Sequence, residues 1–388
     1  MRAATTLRMC LAALLASQPL ALQADVSYVQ TVTVKAGGPM SAYSSEIKVL
    51  NQISADRSRR EVLPADEMAA DLSVAKVTLV DLGKDAAFEL NADTNSYREV
   101  GLDELQRDLA NIRQRVDAAT GGQALPFAVD NCEWSEAKFR SSKTKERERI
   151  GGIRARRHIL SMEQVCEDPD TGMSCELEWT MEPWVASRVP DHEEVQVFYQ
   201  DLADRLQMDY LVPQMPGASQ MLVGLFPNRW ETLLDEMEDI KGYPVRTVMS
   251  LKIGGKACIN ADGVAVAEDD LWSDVGTSAY NEVIKQSGNE TGKAVGDATR
   301  EAMGDSVGGA IGSSAVGAAT GELVGGIAGM FKKEKPKKSN ARAAAPVPDH
   351  VTLYRITAEI SDWSRDDVAA DRFVVPEGWT RLGSNATQ

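Results

Sequence analysis

The sequence predicts an α+β fold, a curved antiparallel sheet forming an unclosed half-barrel, packed on helices and interrupted by a Gly/Ala-rich helical insertion. Three observations predict it. Apolar and polar residues alternate at the front, with Val26, Tyr28, Val32 and Val34 on one side of an extended segment. The period then lengthens, as Leu102, Leu105, Leu109, Ile112 and Val116 recur at three and four residues, the stripe of an amphipathic helix ending near Gly121. Finally, from about Ser278 to Phe331 the composition turns abruptly to Gly, Ala and Ser.

Each element follows from local chemistry. After the first strand, Gly37-Gly38-Pro39 makes a turn, and Tyr43 to Leu50, Val74 to Leu82, Ala86 to Leu90 and Tyr97 to Val100 read as further strands. Turns this short imply antiparallel neighbours lying in the sheet in sequence order. Strands resume around Cys132 to Arg140, Arg154 to Val165 and Cys175 to Trp184. Asp191 and Glu194 suggest a capping box opening a helix whose stripe is Val195, Phe198, Leu202 and Leu206, and Asn228 with Glu231 repeats the device before Leu233, Leu234 and Met237. Strand pattern returns from Tyr243 to Ile253 and from His350 to Ile360.

The domain expectation is a signal peptide at 1–24, a main domain at 25–277, a glycine-zipper insertion at 278–331, a basic and Ala/Pro linker at 332–349, and strands at 350–388 completing the main domain. Arg2 and Arg8 precede an apolar run, Met9 to Leu22, too short to span a bilayer, and Leu22-Gln23-Ala24 offers a small residue for cleavage. The expected location is therefore the periplasm. Cys10 leaves with the signal, and Arg8 and Met9 beside it do not suit lipid attachment, so the mature chain is not expected to be a lipoprotein.

Four cysteines then remain in an oxidising compartment, Cys132, Cys166, Cys175 and Cys258, with three possible pairings. Between Cys166 and Cys175 the Asp168-Pro169-Asp170-Thr171-Gly172 phrase is turn chemistry, which suggests a bridge across a hairpin and leaves Cys132 for Cys258. A formal charge of −16 opposes nucleic acid binding. The oligomeric state is open.

No catalytic residue, metal ligand or cofactor is expected. His158, His192 and His350 lie far apart without metal or triad spacing, and no nucleophile elbow, P-loop or dinucleotide fingerprint occurs. His158 is expected on a basic strand with Arg154, Arg156 and Arg157. Asn91-Ala92-Asp93-Thr94-Asn95 and Asp168 to Gly172 present alternate oxygens but lack the distal glutamate of a calcium loop, so both read as turns. Lys138, Arg140, Lys143, Lys145, Arg147 and Arg149, interleaved with Glu146 and Glu148, read as a solvated loop or edge strand able to meet an acidic partner.

The zipper glycines Gly304, Gly308, Gly312, Gly317, Gly321, Gly325 and Gly329 fall at every fourth position within each run, which on a helix makes one smooth face for close helix approach. Lys332 to Lys338 follow. The segment is either a weakly helical insertion or a hairpin that contacts a membrane or self-associates.

Several phrases carry a family resemblance: Val80-Asp81-Leu82 through Phe88-Glu89-Leu90 to Tyr97, Ile150-Gly151-Gly152-Ile153-Arg154-Ala155, Glu178-Trp179 before Pro183-Trp184, and Phe373 to Trp379. Together they resemble a bacterial family of unknown function with the lipoprotein-carrier (Lol-like) half-barrel. The resemblance implies an apolar concavity for acyl chains, hence a non-enzymatic binding protein for lipid, lipoprotein or an acylated envelope component. The alternative is a structural or interaction protein acting through the zipper.

Overall fold

The structure, a computed structural model, describes residues 25–37, 45–63, 77–107, 110, 133–167, 169, 172, 174–207, 240–259, 262–264, 350–365 and 367–383. The signal segment, Cys132, the helix expected at Asn228 to Met237, the zipper and the linker lie outside the described residues.

The α+β expectation is corrected. The described chain is dominated by one large, unclosed sheet of 13 strands, mixed rather than purely antiparallel, and the helices do not form a layer beneath it. The strands are β1 (Val26–Ala36), β2 (Ser45–Ser54), β3 (Arg57–Leu63), β4 (Val77–Asp81), β5 (Ala86–Asn91), β6 (Ser96–Gly101) and β7 (Glu133–Trp134). They continue with β8 (Lys138–Ile150), β9 (Ile153–Glu167), β10 (Ser174–Ala186), β11 (Tyr243–Ile259), β12 (His350–Ser364) and β13 (Thr380–Arg381). Helix α1 is described over 102–107, and α2 spans His192–Leu206.

The sheet order is β13-β6-β5-β4-β3-β2-β1-β12-β11-β10-β9-β7, with β8 also on β9, and only β13 pairs in parallel, with β6. The first six strands stand in sequence order, as short turns require. Strand is underestimated from sequence for a physical reason. Arg57 to Leu63 has no apolar alternation, yet it pairs as β3 between β2 and β4. Likewise β9, β11 and β12 run 15, 17 and 15 residues, longer than their apolar runs. Cross-strand ion pairs such as Lys252–Glu178, 3.0 Å, extend these ladders where apolar burial stops.

Alternation decides the two faces. Even residues of β1 and odd residues of β2, β10 and β11 are buried, including Val32, Ile47, Trp179, Met181, Met249 and Leu251. Over one end of this face lies α2, whose Val195, Phe198, Leu202 and Leu206 are buried against Val26, Tyr28, Ile53, Val80 and Leu105. Burial of a side chain the size of Phe198 or Leu202 stabilises by about 1.5–3 kcal/mol. The expected capping box is absent: Asp191 sits at φ 52° and makes no side-chain cap bond. A residue in the left-handed region turns its side chain away from the first-turn amides, so the Asp/Glu spacing alone did not secure the motif.

Trp363 of β12 locks the start of α2 to the sheet. It stacks on Tyr28, centroids 5.1 Å apart at 11°, and its Nε1 donates to the Pro190 carbonyl at 2.9 Å. After β12, a 3-10 turn at Ala370–Phe373 buries Phe373, and Val375 and Trp379 pack on Val77, Leu79 and Phe88.

Candidate functional site

The outer strands build a charged trough. Even residues of β10 and of β11, odd residues of β9 and odd residues of β12 share one face, because directly paired residues point to the same side. That face carries Arg157 from β9, Glu182 and Trp184 from β10, Arg246 from β11, and Arg355, Thr357 and Glu359 from β12 around a depression of about 430 Å³. The β8–β9 hairpin then bends over it. Glu148 of β8 reaches Arg246 on β11 at 2.9 Å, and Glu146 reaches Arg157 at 2.9 Å.

Two arginines are therefore each held between two carboxylates. Arg157 binds Glu182 at 2.8 Å and Glu146, and Arg246 binds Glu359 at 2.6 Å and Glu148. Hydrogen bonding to Glu182 raises the Arg157 pKa above its ordinary value despite desolvation. At Arg246 burial pulls the pKa down, but the bonds to Glu359 and Glu148 outweigh it and the net shift is upward. Both guanidiniums stay charged and oriented, since a planar fork bonded on two sides has little freedom left. Arg246 lies 5.8 Å above the Trp184 ring, fixing the indole as well.

Arg355 differs. It is exposed, and no ion pair engages it among the described residues; in register it faces Ser250 on β11 and Lys35 on β1. Its guanidinium thus differs from those of Arg157 and Arg246, each of which is held by two carboxylates.

The expected site residues are placed as follows. The Cys166–Cys175 bridge is corrected: the two face each other across β9 and β10, as the turn predicts, yet Cys175 bonds Cys258. The expected Cys132–Cys258 bridge is excluded by the same bond. The register shift in β10–β11 between Ser174 and Glu176 brings Cys258 to Cys175, and that shift is invisible in spacing. Cys166 is disulfide-bonded as well. The Cys175–Cys258 disulfide is buried, which fits an oxidising compartment. All seven zipper glycines lie outside the described residues.

The histidines stay apart. His192 opens α2 with Nδ1 2.9 Å from the Val189 carbonyl oxygen, His350 lies 3.2 Å from Glu176, and His158 shares a face with Arg154 and Arg156 while Arg157 faces the trough. No group of three metal-ligating side chains occurs among the described residues. Asn91 accepts from the Asp93 and Thr94 amides at 3.0 and 3.2 Å, an Asx turn that uses the oxygen a calcium ion would need. Of Asp168 to Gly172, only Pro169 and Gly172 are described.

Sequence reasoning missed the trough. Glu182, Arg246, Arg355 and Glu359 come from three strands and share no local motif; the one available signal was polar residues on alternate positions of strands otherwise rich in apolar residues. No family model matches the chain, and no curated protein matches it.

Proposed function

We propose that this chain is a non-enzymatic binding protein of the periplasm whose trough takes a small hydroxylated ligand bearing one negative group, an acidic sugar being the simplest class. The carrying observation is the arrangement around Trp184: Arg157 and Arg246 are each locked by two glutamates, and Arg355 carries no ion pair among the described residues. Trp184 lines the depression as an apolar wall for a sugar ring, the fixed glutamates accept from hydroxyls, and Arg355 meets the anion. The volume suits a ligand of this size. Glu182 and Glu359 are both engaged by arginines, which supports a positioning role over proton transfer.

The periplasmic assignment is supported by the signal-like start and by the buried disulfide. An acyl ligand calls for an apolar hollow, whereas this trough is lined by charge, so the ligand class favoured here is polar. The interaction role through the glycine zipper concerns residues outside those described.

Calorimetric titration with glucuronate, glucose and palmitate tests the reading. Glucuronate is expected to bind at least about tenfold more tightly than glucose, and Arg355→Ala to abolish that preference. Preference for palmitate, or no binding of glucuronate, would overturn it.

A further inference from the structure

The β8–β9 hairpin sorts its charges. Along the sequence Lys143 to Arg149 mixes signs, but in the strand the signs separate: Glu146 and Glu148 turn into the trough and are consumed by Arg157 and Arg246. On the opposite face Lys143 pairs with His158, Arg147 with Arg156 and Arg149 with Arg154. Three successive cross-strand pairs thus carry like charge or charge against imidazole. Lys143, Arg147, Arg149 and Arg154 are exposed and Arg156 partly so, and none of these five makes an ion pair among the described residues. The field is felt locally: burial first, then Lys143 and Arg156, lower the pKa of His158.

Like charges placed directly opposite destabilise a sheet. Protection of an edge strand from aggregation accounts for cations on β8, the edge. It does not account for Arg154 and Arg156 on β9, one strand further in, where a neutral residue would serve the edge equally well and remove the repulsion. An unneutralised array, in a chain whose formal charge is −16, fits an anion supplied from outside.

We propose that this face docks an extended acidic peptide segment of a partner protein, with acidic residues at alternate positions. The spacing supports a peptide. Arg147 and Arg149, and Arg154 and Arg156, repeat every second residue of a strand, roughly 7 Å apart, and an extended peptide presents same-side carboxylates at the same repeat. The net charge supports a partner that touches only the hairpin, because a broad anionic surface would also meet the acidic remainder of the chain. Each guanidinium can then hold a carboxylate bidentately.

The test uses the full mature chain and a short fluorescent peptide of glutamate alternating with threonine, its glutamine counterpart, and phosphatidylglycerol vesicles. The glutamate peptide is expected to bind at least about tenfold more tightly than the glutamine one, and to weaken steeply with salt. The variant Arg147→Gln/Arg149→Gln/Arg154→Gln/Arg156→Gln is expected to lose that binding while melting at an equal or higher temperature, because repulsion is relieved. Equal binding of the two peptides, retention of binding by a folded variant, or stronger binding to the vesicles than to the peptide would each overturn the proposal.

Discussion

Gly151, at the tip of the β8–β9 hairpin, lies so close to Ile360 of β12 that a Cβ on it would stand 2.6 Å from the Ile360 carbonyl oxygen. Its φ is +53°, a region that suits glycine. Through this contact the hairpin tip reaches across β10 and β11, Ile150 is buried in the cluster that contains Ile360, and Glu148 arrives at Arg246. The trough has a wall on the β8 side because glycine stands at this position.

Gly151→Ala is expected to lower stability by about 2 kcal/mol, combining a left-handed conformation with steric conflict against backbone. Because the tip must lift, it is also expected to weaken ligand binding in the trough. Urea unfolding together with calorimetry checks both, and an alanine variant as stable as the parent would show that the tip contact is dispensable.

The Cys175–Cys258 disulfide closes a sequence separation of 83 residues. In the chain-entropy model a loop of that size contributes about 4–5 kcal/mol by constraining the unfolded chain. The Cys175→Ala/Cys258→Ala variant should therefore have a much lower urea midpoint than the parent. An unchanged midpoint would mean that the unfolded chain gains nothing from losing the bond.

Glu194 in α2 supplies a pH signature. Burial, then Asp191, raises its carboxyl pKa above the ordinary value; Arg365 opposes the rise and Asp25 adds to it. Between the unfolded and folded values the folded chain binds more protons, so stability falls as pH increases through that window and the full penalty persists above it. Below the ordinary carboxylate range both states are protonated and the penalty vanishes. Glu194→Gln is thus expected to raise Tm by about 1–2 °C at neutral pH and to leave it unchanged in acid. Melting curves across pH decide it, and a Glu194→Gln variant less stable than the parent at neutral pH would contradict the assignment.

Much of the local structure was legible in the residues. Alternation located β1, segments set between turn residues located β5, β9 and β10, and the period of Val195, Phe198, Leu202 and Leu206 located α2 with its buried face. β3 was not legible, because Arg57 to Leu63 carries four polar residues in its first four positions and only its neighbours β2 and β4 make it a strand. The disulfide partner was not legible either, because a turn brings Cys166 opposite Cys175, yet Cys175 bonds Cys258 from β11, where the pairing register shifts.

By itself the sequence determined that segments such as β1, β5, β9 and β10 are extended, which face of β1 is apolar, and that the early strands follow one another in the sheet. Those properties depend on neighbours two to four positions away, and composition records them. Tertiary structure alone decided that Arg246 meets both Glu359 and Glu148, from β12 and β8, that α2 covers only one end of the sheet, and that Glu146 and Arg147 point to opposite sides. Each depends on the register between strands distant in the chain, and a shift of one residue would exchange the faces of a whole strand.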